Sequence, residues 1–302
     1  MVRKITFAFI LSLSLVFQSS CLRLDANLFA NDNSITEYKL DAYEGDNDFK
    51  LDDSYKIDPT LISHFTLLSK GKGDKKSYTI HAIYIGNQER IKTDTVILYC
   101  HGNKDHMDKY WQRAKLLANT GWKNRFGVMM IDYRGYGLSE GRPTEEGMYI
   151  DVDAALKWLK SKGLDNNRLI IYGFSVGSAP TVEMARSPRS MSPLKIMLEA
   201  PFASSQAMVQ DGSKTTMKRD YFTNNKIDNA GKIQDVKIPF FWIHGDQDDF
   251  VAMRTHGQVV YDNYQGTYKE AHVIQGANHS DVPEIVGFKE YSKLIEDFIE
   301  RK

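Results

Sequence analysis

The stretch RLIIYGFSVGSAPTVEMAR, Arg168 to Arg186, decides the fold. Its first five residues are a short apolar run with a β-branched centre, long enough for a buried strand and too short for a helix. From Val176 onward the pattern turns helical and runs to Arg186. Between them lies Gly173-Phe174-Ser175-Val176-Gly177. A serine on a sharp strand-to-helix turn, with glycine two positions away on each side, is the arrangement that lifts a hydroxyl out of the carboxyl edge of a sheet. The glycines spare the turn a steric clash, and the helix N-terminus behind it favours negative charge. The plain alternative is an ordinary serine in a strand–helix turn, which the flanking strand and helix disfavour.

Outward from this turn the same strand–helix alternation repeats. Ser63–Ser69 and Ser77–Ile85 read as two strands joined by the turn-forming GKGDKK, without a helix between them. Thr95–Cys100, Gly127–Asp132, Lys195–Leu198, Pro239–His244 and Ala271–Ile274 read as further strands. Helical patterns fall near 109–119, 145–162, 253–262 and 284–300. This predicts an α/β domain over residues 61–302, with a mostly parallel sheet of about eight strands, helices on both faces and an antiparallel edge.

The 302 residues carry 39 basic and 39 acidic side chains, so no basic field recruits nucleic acid. Hydrophobic residues at 42% and charged residues at 26% are globular proportions. Two cysteines, Cys21 and Cys100, support neither a disulfide framework nor a cysteine zinc site. No GxGxxG follows a strand, and there is no P-loop and no HExxH, so no nucleotide, flavin or metal cofactor is expected.

A serine hydroxyl needs a base, and the base needs an acid to orient it. His279 lies in the loop GANHSD after the last strand and before the final helix, the place from which a histidine reaches back over the turn. His64, His81 and His272 fall within strands, and His101 and His244 end strands ahead of Gly102 and Gly245, which reads as structural. His106 and His256 carry no partner signal. For the acid, IHGDQDDFV offers Asp246, Asp248 and Asp249; the spacing H-G-x-x-D-x-x-V selects Asp248, with its neighbours as fallbacks and Glu199 as a lesser competitor. An oxyanion needs two aimed N–H groups. Val176 supplies one, and the loop His101-Gly102-Asn103-Lys104 supplies the other, Asn103 first and Lys104 next.

The motifs HGN, DYRGYGLSEG, GFSVG, HGDQDDFV and GANHSD, in this order and spacing, resemble the α/β-hydrolase superfamily. The closest likeness is to its small, lid-poor serine hydrolases of the abhydrolase-domain and serine-aminopeptidase-like type, and it spans residues 61–302. The resemblance implies Ser175 as nucleophile, His279 as base, Asp248 as acid, and Asn103 and Val176 as oxyanion donors. The segment between Leu198 and Pro239 is short for a lid; Phe202, Met208, Met217, Tyr221 and Phe222 are candidate acyl-pocket residues, with plain packing the favoured reading for any single one. The activity implied is hydrolysis of an acyl ester or thioester of a small acylated substrate. A peptidase or amidase of the same fold is the second reading, and a non-catalytic binding module the third.

Residues 1–20 read as a signal peptide: Arg3 and Lys4, an apolar run from Ile5 to Phe17, then Ser19 and Ser20 ahead of Cys21. That run is shorter than the roughly 20 residues that span a bilayer. Cys21 after small residues resembles a bacterial lipobox, although Gln18 stands where that motif prefers leucine. Lipidation of Cys21 would anchor an exported protein to a membrane of the cell envelope; the alternative is plain secretion with cleavage elsewhere and Cys21 incidental. Residues 21–60, rich in acid and poor in apolar runs, read as a solvated tether or a partly ordered arm outside the main core, with Leu40, Tyr43, Phe49 and Tyr55 as the residues able to pin it to the domain.

Overall fold

The computed structural model describes residues 29–121, 125–213 and 226–302, with no side chain described at positions 212 and 213. Eight strands form one sheet: β1 (Ile62–Ser69), β2 (Tyr78–Ile85), β3 (Val96–Cys100), β4 (Gly127–Ile131), β5 (Leu169–Phe174), β6 (Lys195–Glu199), β7 (Phe240–Gly245) and β8 (Lys269–Ile274). Their spatial order is β1-β2-β4-β3-β5-β6-β7-β8. β2 pairs antiparallel with both β1 and β4, and every other pairing is parallel. The sheet is therefore the one the sequence predicts, its antiparallel edge included.

Period-two alternation splits each central strand between two cores. Val96, Leu98 and Cys100 of β3 face one layer, while Ile97 and Tyr99 face the other. Helices α2 (Glu145–Ser161), α3 (Ser178–Arg186) and α5 (Gly257–Asn263) cover the first face. Helices α1 (Met107–Ala118) and α6 (Phe288–Glu300) cover the second, and α4 (Ser205–Ser213) lies in the segment after β6. Strands buried on both faces explain why they read as unbroken apolar runs. The chain runs from β3 to β4 on one side and from β5 to β6 on the other, so the connections diverge between the adjacent strands β3 and β5. That makes a switch point, and a crevice opens at the carboxyl ends of β3 and β5.

Residues 29–60 correct the tether expectation. Phe49 and Ile57 are buried in the second core, and Ala30–Asn31 pairs in parallel with Lys104–Asp105. Asp41, Asp46 and Asp48 pair with α1, whose Lys109, Arg113 and Lys115 are all buried. Asp46 and Asp48 meet Lys109 at 3.0 and 3.1 Å, and Asp41 meets Lys115 at 2.5 Å. The carboxylates of Asp108 accept the Lys39 and Leu40 N–H groups in return. Acidic composition suggested solvation, whereas the charges are complementary to a basic helix face more than 50 residues away in sequence. Residues 1–20, Cys21, Met217, Tyr221 and Phe222 lie outside the described residues. No helix among the described residues is long and apolar enough to cross a membrane.

Candidate active site

Ser175 follows β5 directly and opens the helical turn that leads into α3. Its φ is +52°, a left-handed conformation that side chains other than glycine rarely adopt. The two flanking glycines are required by close approach. A Cβ at Gly173 would lie 2.5 Å from the Gly177 carbonyl oxygen, and one at Gly177 would lie 2.0 Å from that of Cys100. The strained turn is thus wedged against the end of β3. Ser178 Oγ donates to the Ser175 carbonyl at 2.6 Å, and Thr181 Oγ1 to that of Gly177 at 2.8 Å, fastening the turn to its own helix.

The structure brings Ser175, His279 and Asp248 together. His279 Nε2 lies 3.0 Å from Ser175 Oγ, and its Nδ1 lies 2.8 Å from Asp248 Oδ2. The imidazole is held between two rings, Phe174 at 5.2 Å and Phe250 at 5.1 Å between centroids. Asp248 is buried, and Oδ1 accepts the Phe250 and Val251 N–H groups at 3.0 and 2.7 Å. Oδ2 takes a second bond from His244 Nε2 at 3.0 Å. Burial by itself raises the Asp248 pKa. The hydrogen bonds from His244 and His279, the charge of His279 and the Val251 N–H outweigh it, holding the carboxyl well below the usual carboxylate range.

Asp246 and Asp249 do different work. Asp246 Oδ1 accepts the Gly276 N–H at 2.7 Å, and the Asp249 N–H donates to Asn278 Oδ1 at 3.2 Å. Both brace the acid loop against the histidine loop. Gly245 permits the crossing, since a Cβ there would lie 2.2 Å from the Ala277 oxygen. Glu199 is buried on the other face, bound by Arg113 at 2.9 Å and Tyr291 at 2.8 Å, with Tyr172 also bonded to it. Among the oxyanion candidates, the Lys104 N–H donates to the Tyr110 hydroxyl at 3.1 Å. Asn103 and Val176 both line the cavity at Ser175, and the Val176 N–H lies in a first helical turn, where amides lack intrahelical partners. Cys100 is fully buried, which pushes its thiol up to about 12 and removes it as a nucleophile.

Two cavities flank Ser175. One, of about 150 Å³, is apolar, and Phe29, Val176, Phe202, Met208, Ile227 and Val251 form its walls. The other, of about 550 Å³, is the more polar of the two, with His279, Ser280, Lys104, Lys109 and the arm residues Asp46 to Asp48 set beside Phe174 and Phe250. Phe202 and Met208, each expected from sequence sooner as plain packing than as pocket, line the apolar cavity.

A protein-family profile described as serine aminopeptidase, S33, matches residues 91–229. The nematode (Caenorhabditis elegans) alpha/beta hydrolase domain-containing protein aho-3 is 33% identical over 187 residues, 62% of this chain and 52% of that one. Human alpha/beta hydrolase domain-containing protein 17B is 30% identical over 207 residues, covering 68% and 66%. The chain thus spans about half of the first relative and just under two thirds of the second. An esterase from Pyrococcus furiosus superposes with a TM-score of 0.63 at 17% identity, over 86% of this chain and 98% of that one. An esterase from Exiguobacterium antarcticum does so at 0.57 and 13%, over 78% and 100%. The chain belongs to the α/β-hydrolase superfamily.

In this α/β-hydrolase, sequence reasoning missed His244 as a site residue. The Trp242 indole, which can only donate, points at His244 Nδ1 from 3.3 Å, and the Val251 carbonyl, which can only accept, faces Nε2 at 2.9 Å. The proton of neutral His244 therefore sits on Nε2 and is donated toward Asp248. The signal was present in the motif itself, because histidine and aspartate stand four residues apart across the loop. Arg113, stacked over Phe174 at 4.3 Å, had no local signal at all.

Proposed function

We propose that this α/β-hydrolase is a serine hydrolase that cleaves an acyl ester or thioester through an acyl-enzyme intermediate. The observation that carries the reading is the unbroken chain Ser175 Oγ, His279, Asp248, at 3.0 and 2.8 Å, beside an apolar cavity. An ionised Asp248 fixes the His279 proton on Nδ1, which leaves the Nε2 lone pair facing Ser175. His279 takes the serine proton as Oγ attacks the carbonyl carbon. The N–H groups of Val176 and Asn103 receive the oxyanion, each worth about 3 kcal/mol in such sites. His279 then hands its proton to the departing alcohol or thiol, and water repeats the cycle on the acyl-enzyme.

The two cavities supply an orientation. His279 and Ser280 border only the polar one, so the group that must receive the histidine's proton leaves on that side. The acyl chain then occupies the apolar cavity. A volume of about 150 Å³ accommodates a guest the size of benzene, which corresponds to an acyl chain of about four to six carbons.

A p-nitrophenyl ester series from acetate to palmitate, run beside Ser175→Ala, tests this. Turnover should peak near butyrate to hexanoate and vanish in the variant. Turnover that survives Ser175→Ala removes the nucleophile. The family profile's description favours peptidase action as the second reading, for which aminoacyl p-nitroanilides are the assay.

Export with lipidation of Cys21 rests on the basic start, the apolar run to Phe17 and the small residues before the cysteine. Growth with labelled palmitate should label the wild type and not Cys21→Ser. Equal labelling of both would refute it.

A further inference from the structure

The arm was expected to be a spacer, yet it touches the candidate site at two separate places. At its start Phe29 lines the apolar cavity, and the Ala30 N–H donates to Asn103 Oδ1 at 3.3 Å. That same oxygen accepts the Tyr136 hydroxyl at 2.9 Å. The side chain of the proposed oxyanion residue is thus held from two sides, one of them the arm. The Asp32 N–H continues the contact by donating to the Asp105 carbonyl at 3.2 Å.

The second contact lies on the leaving-group side. Asp46, Asn47 and Asp48 form a wall of the polar cavity that contains His279 and Ser280. Asp48 Oδ2 lies 3.4 Å from Arg113 Nη2, and the same nitrogen donates to the Ser280 carbonyl at 3.0 Å. Ser280 follows the proposed base directly, and Phe174, beneath the Arg113 guanidinium, precedes the proposed nucleophile. Arg113 already has a full counter-ion, since Nη1 meets both oxygens of Glu199 at 2.9 and 3.1 Å. Lys109 likewise answers the charge of Asp48. What the Asp48 contact adds is direction: it takes one N–H of Nη2 and leaves the other aimed at the histidine loop.

We infer that the arm is a positioning element of the active site, acting on the His279 loop through Asp48 and Arg113 and on the oxyanion loop through Ala30 and Asn103. This rests on the serine-hydrolase reading. Both loops follow strand ends, and misplacement of a reacting group by about 1 Å costs about a hundredfold in rate.

The test uses the full chain carrying Asp48→Asn, Asp48→Glu or Ala30→Pro, with p-nitrophenyl butyrate and ethyl butyrate as paired substrates. A p-nitrophenolate departs without a proton, whereas an ethoxide must receive one from His279. Asp48→Asn should lower kcat about tenfold on the ethyl ester and about threefold on the p-nitrophenyl ester, with KM within about twofold. Asp48→Glu should recover part of the loss. Ala30→Pro, at an exposed position, should lower kcat about equally on both esters, because each develops the same oxyanion. Rates within about twofold of wild type for folded Asp48→Asn, or equal losses on its two esters, overturn the inference. If Asp48→Asn does not fold, Ala30→Pro decides, and an unchanged kcat there overturns it. Fluorophosphonate labelling of wild-type Ser175 separates the two levels. Its absence refutes the hydrolase reading together with this one, while normal labelling beside unaffected variants refutes the arm alone.

Discussion

Replacing Asp248 by asparagine changes one atom, and the surroundings dictate where that atom goes. Oδ1 accepts two backbone N–H groups, from Phe250 and Val251, so the amide oxygen must occupy its place. The opposite orientation would set the amide NH₂ against both. The NH₂ therefore replaces Oδ2, where it meets His244 Nε2 at 3.0 Å and His279 Nδ1 at 2.8 Å. His244 cannot yield, because the Trp242 indole holds its Nδ1 as an acceptor and keeps the proton on Nε2. Two donors then face each other, which should cost about 1–3 kcal/mol of stability. His279 must respond by accepting at Nδ1, which moves its proton to Nε2 and toward Ser175 Oγ. No lone pair remains there to take the serine proton. Loss of the correct tautomer is worth about 10⁴ in kcat, or about 5 kcal/mol. The assay is kcat on p-nitrophenyl butyrate, with unfolding midpoints measured on the same samples. Asp246→Asn and Asp249→Asn serve as controls, and each should stay within about threefold because both brace loops without touching His279. An Asp248→Asn enzyme retaining more than about a tenth of wild-type kcat would sink the assignment. So would a comparable loss in Asp246→Asn.

Ser175→Gly and Ser175→Ala should both be inactive, yet Gly should be the more stable by about 1 kcal/mol, because only glycine is at ease at φ +52°; equal melting temperatures would contradict a strained turn. Acid sensitivity has a definite sign at Asp248. Its folded pKa lies below the ordinary aspartate value, so the stability it contributes is present above that ordinary value and is lost as pH falls through the folded pKa. The stability gap between wild type and Asp248→Asn should therefore narrow between about pH 5 and pH 2; a gap that widens on acidification would mean that the carboxylate is not favoured by its partners.

The parts legible in the sequence share one property, that their signal is local. GFSVG announces itself because glycine is forced at 173 and 177 by atoms of the turn and of the adjacent strand end. The strands show because burial on both faces demands unbroken apolar runs. Asp248 over its neighbours follows from motif spacing, and Gly245 shows why that spacing is rigid. What was not legible depends on partners distant in sequence. Asp48 and Arg113 are 65 residues apart, and Arg113 and Ser280 are 167 apart. Nothing near Asp48 says that its charge will be answered, so an acidic arm reads as solvated. His244 failed for another reason: a histidine at a strand end before glycine has a sufficient structural explanation, and its second role appears only once the loop closes over it.

The site divides its labour between parts that cannot move and parts that must be held. Ser175 is set by the sheet, wedged between the ends of β3 and β5, and needs no further support. His279 and Asp248 sit on adjacent loops, and those loops are tied mainly to each other, through Asp246 to Gly276, Gln247 to Ala277 and Asp249 to Asn278. The sheet holds this pair at its roots, through His244 on Asp248 and through the Asp246 and Ala277 N–H groups on the Ile274 carbonyl. Keeping that unit at 3.0 Å from the serine requires contacts from outside it, and Arg113 on Ser280 is one of them, oriented by Asp48. Among the described residues, Phe29 and Asp46 to Asp48 of the arm and Phe202, Ser205, Met208 and Ile227 beyond β6 line the cavities, and all of them lie outside the strands of the sheet. Swapping the arm should therefore change leaving-group preference through Asp46 to Asp48 and acyl preference through Phe29, and lower kcat wherever the Asp48 contact is lost; an ester series with unchanged preferences and rates would refute this.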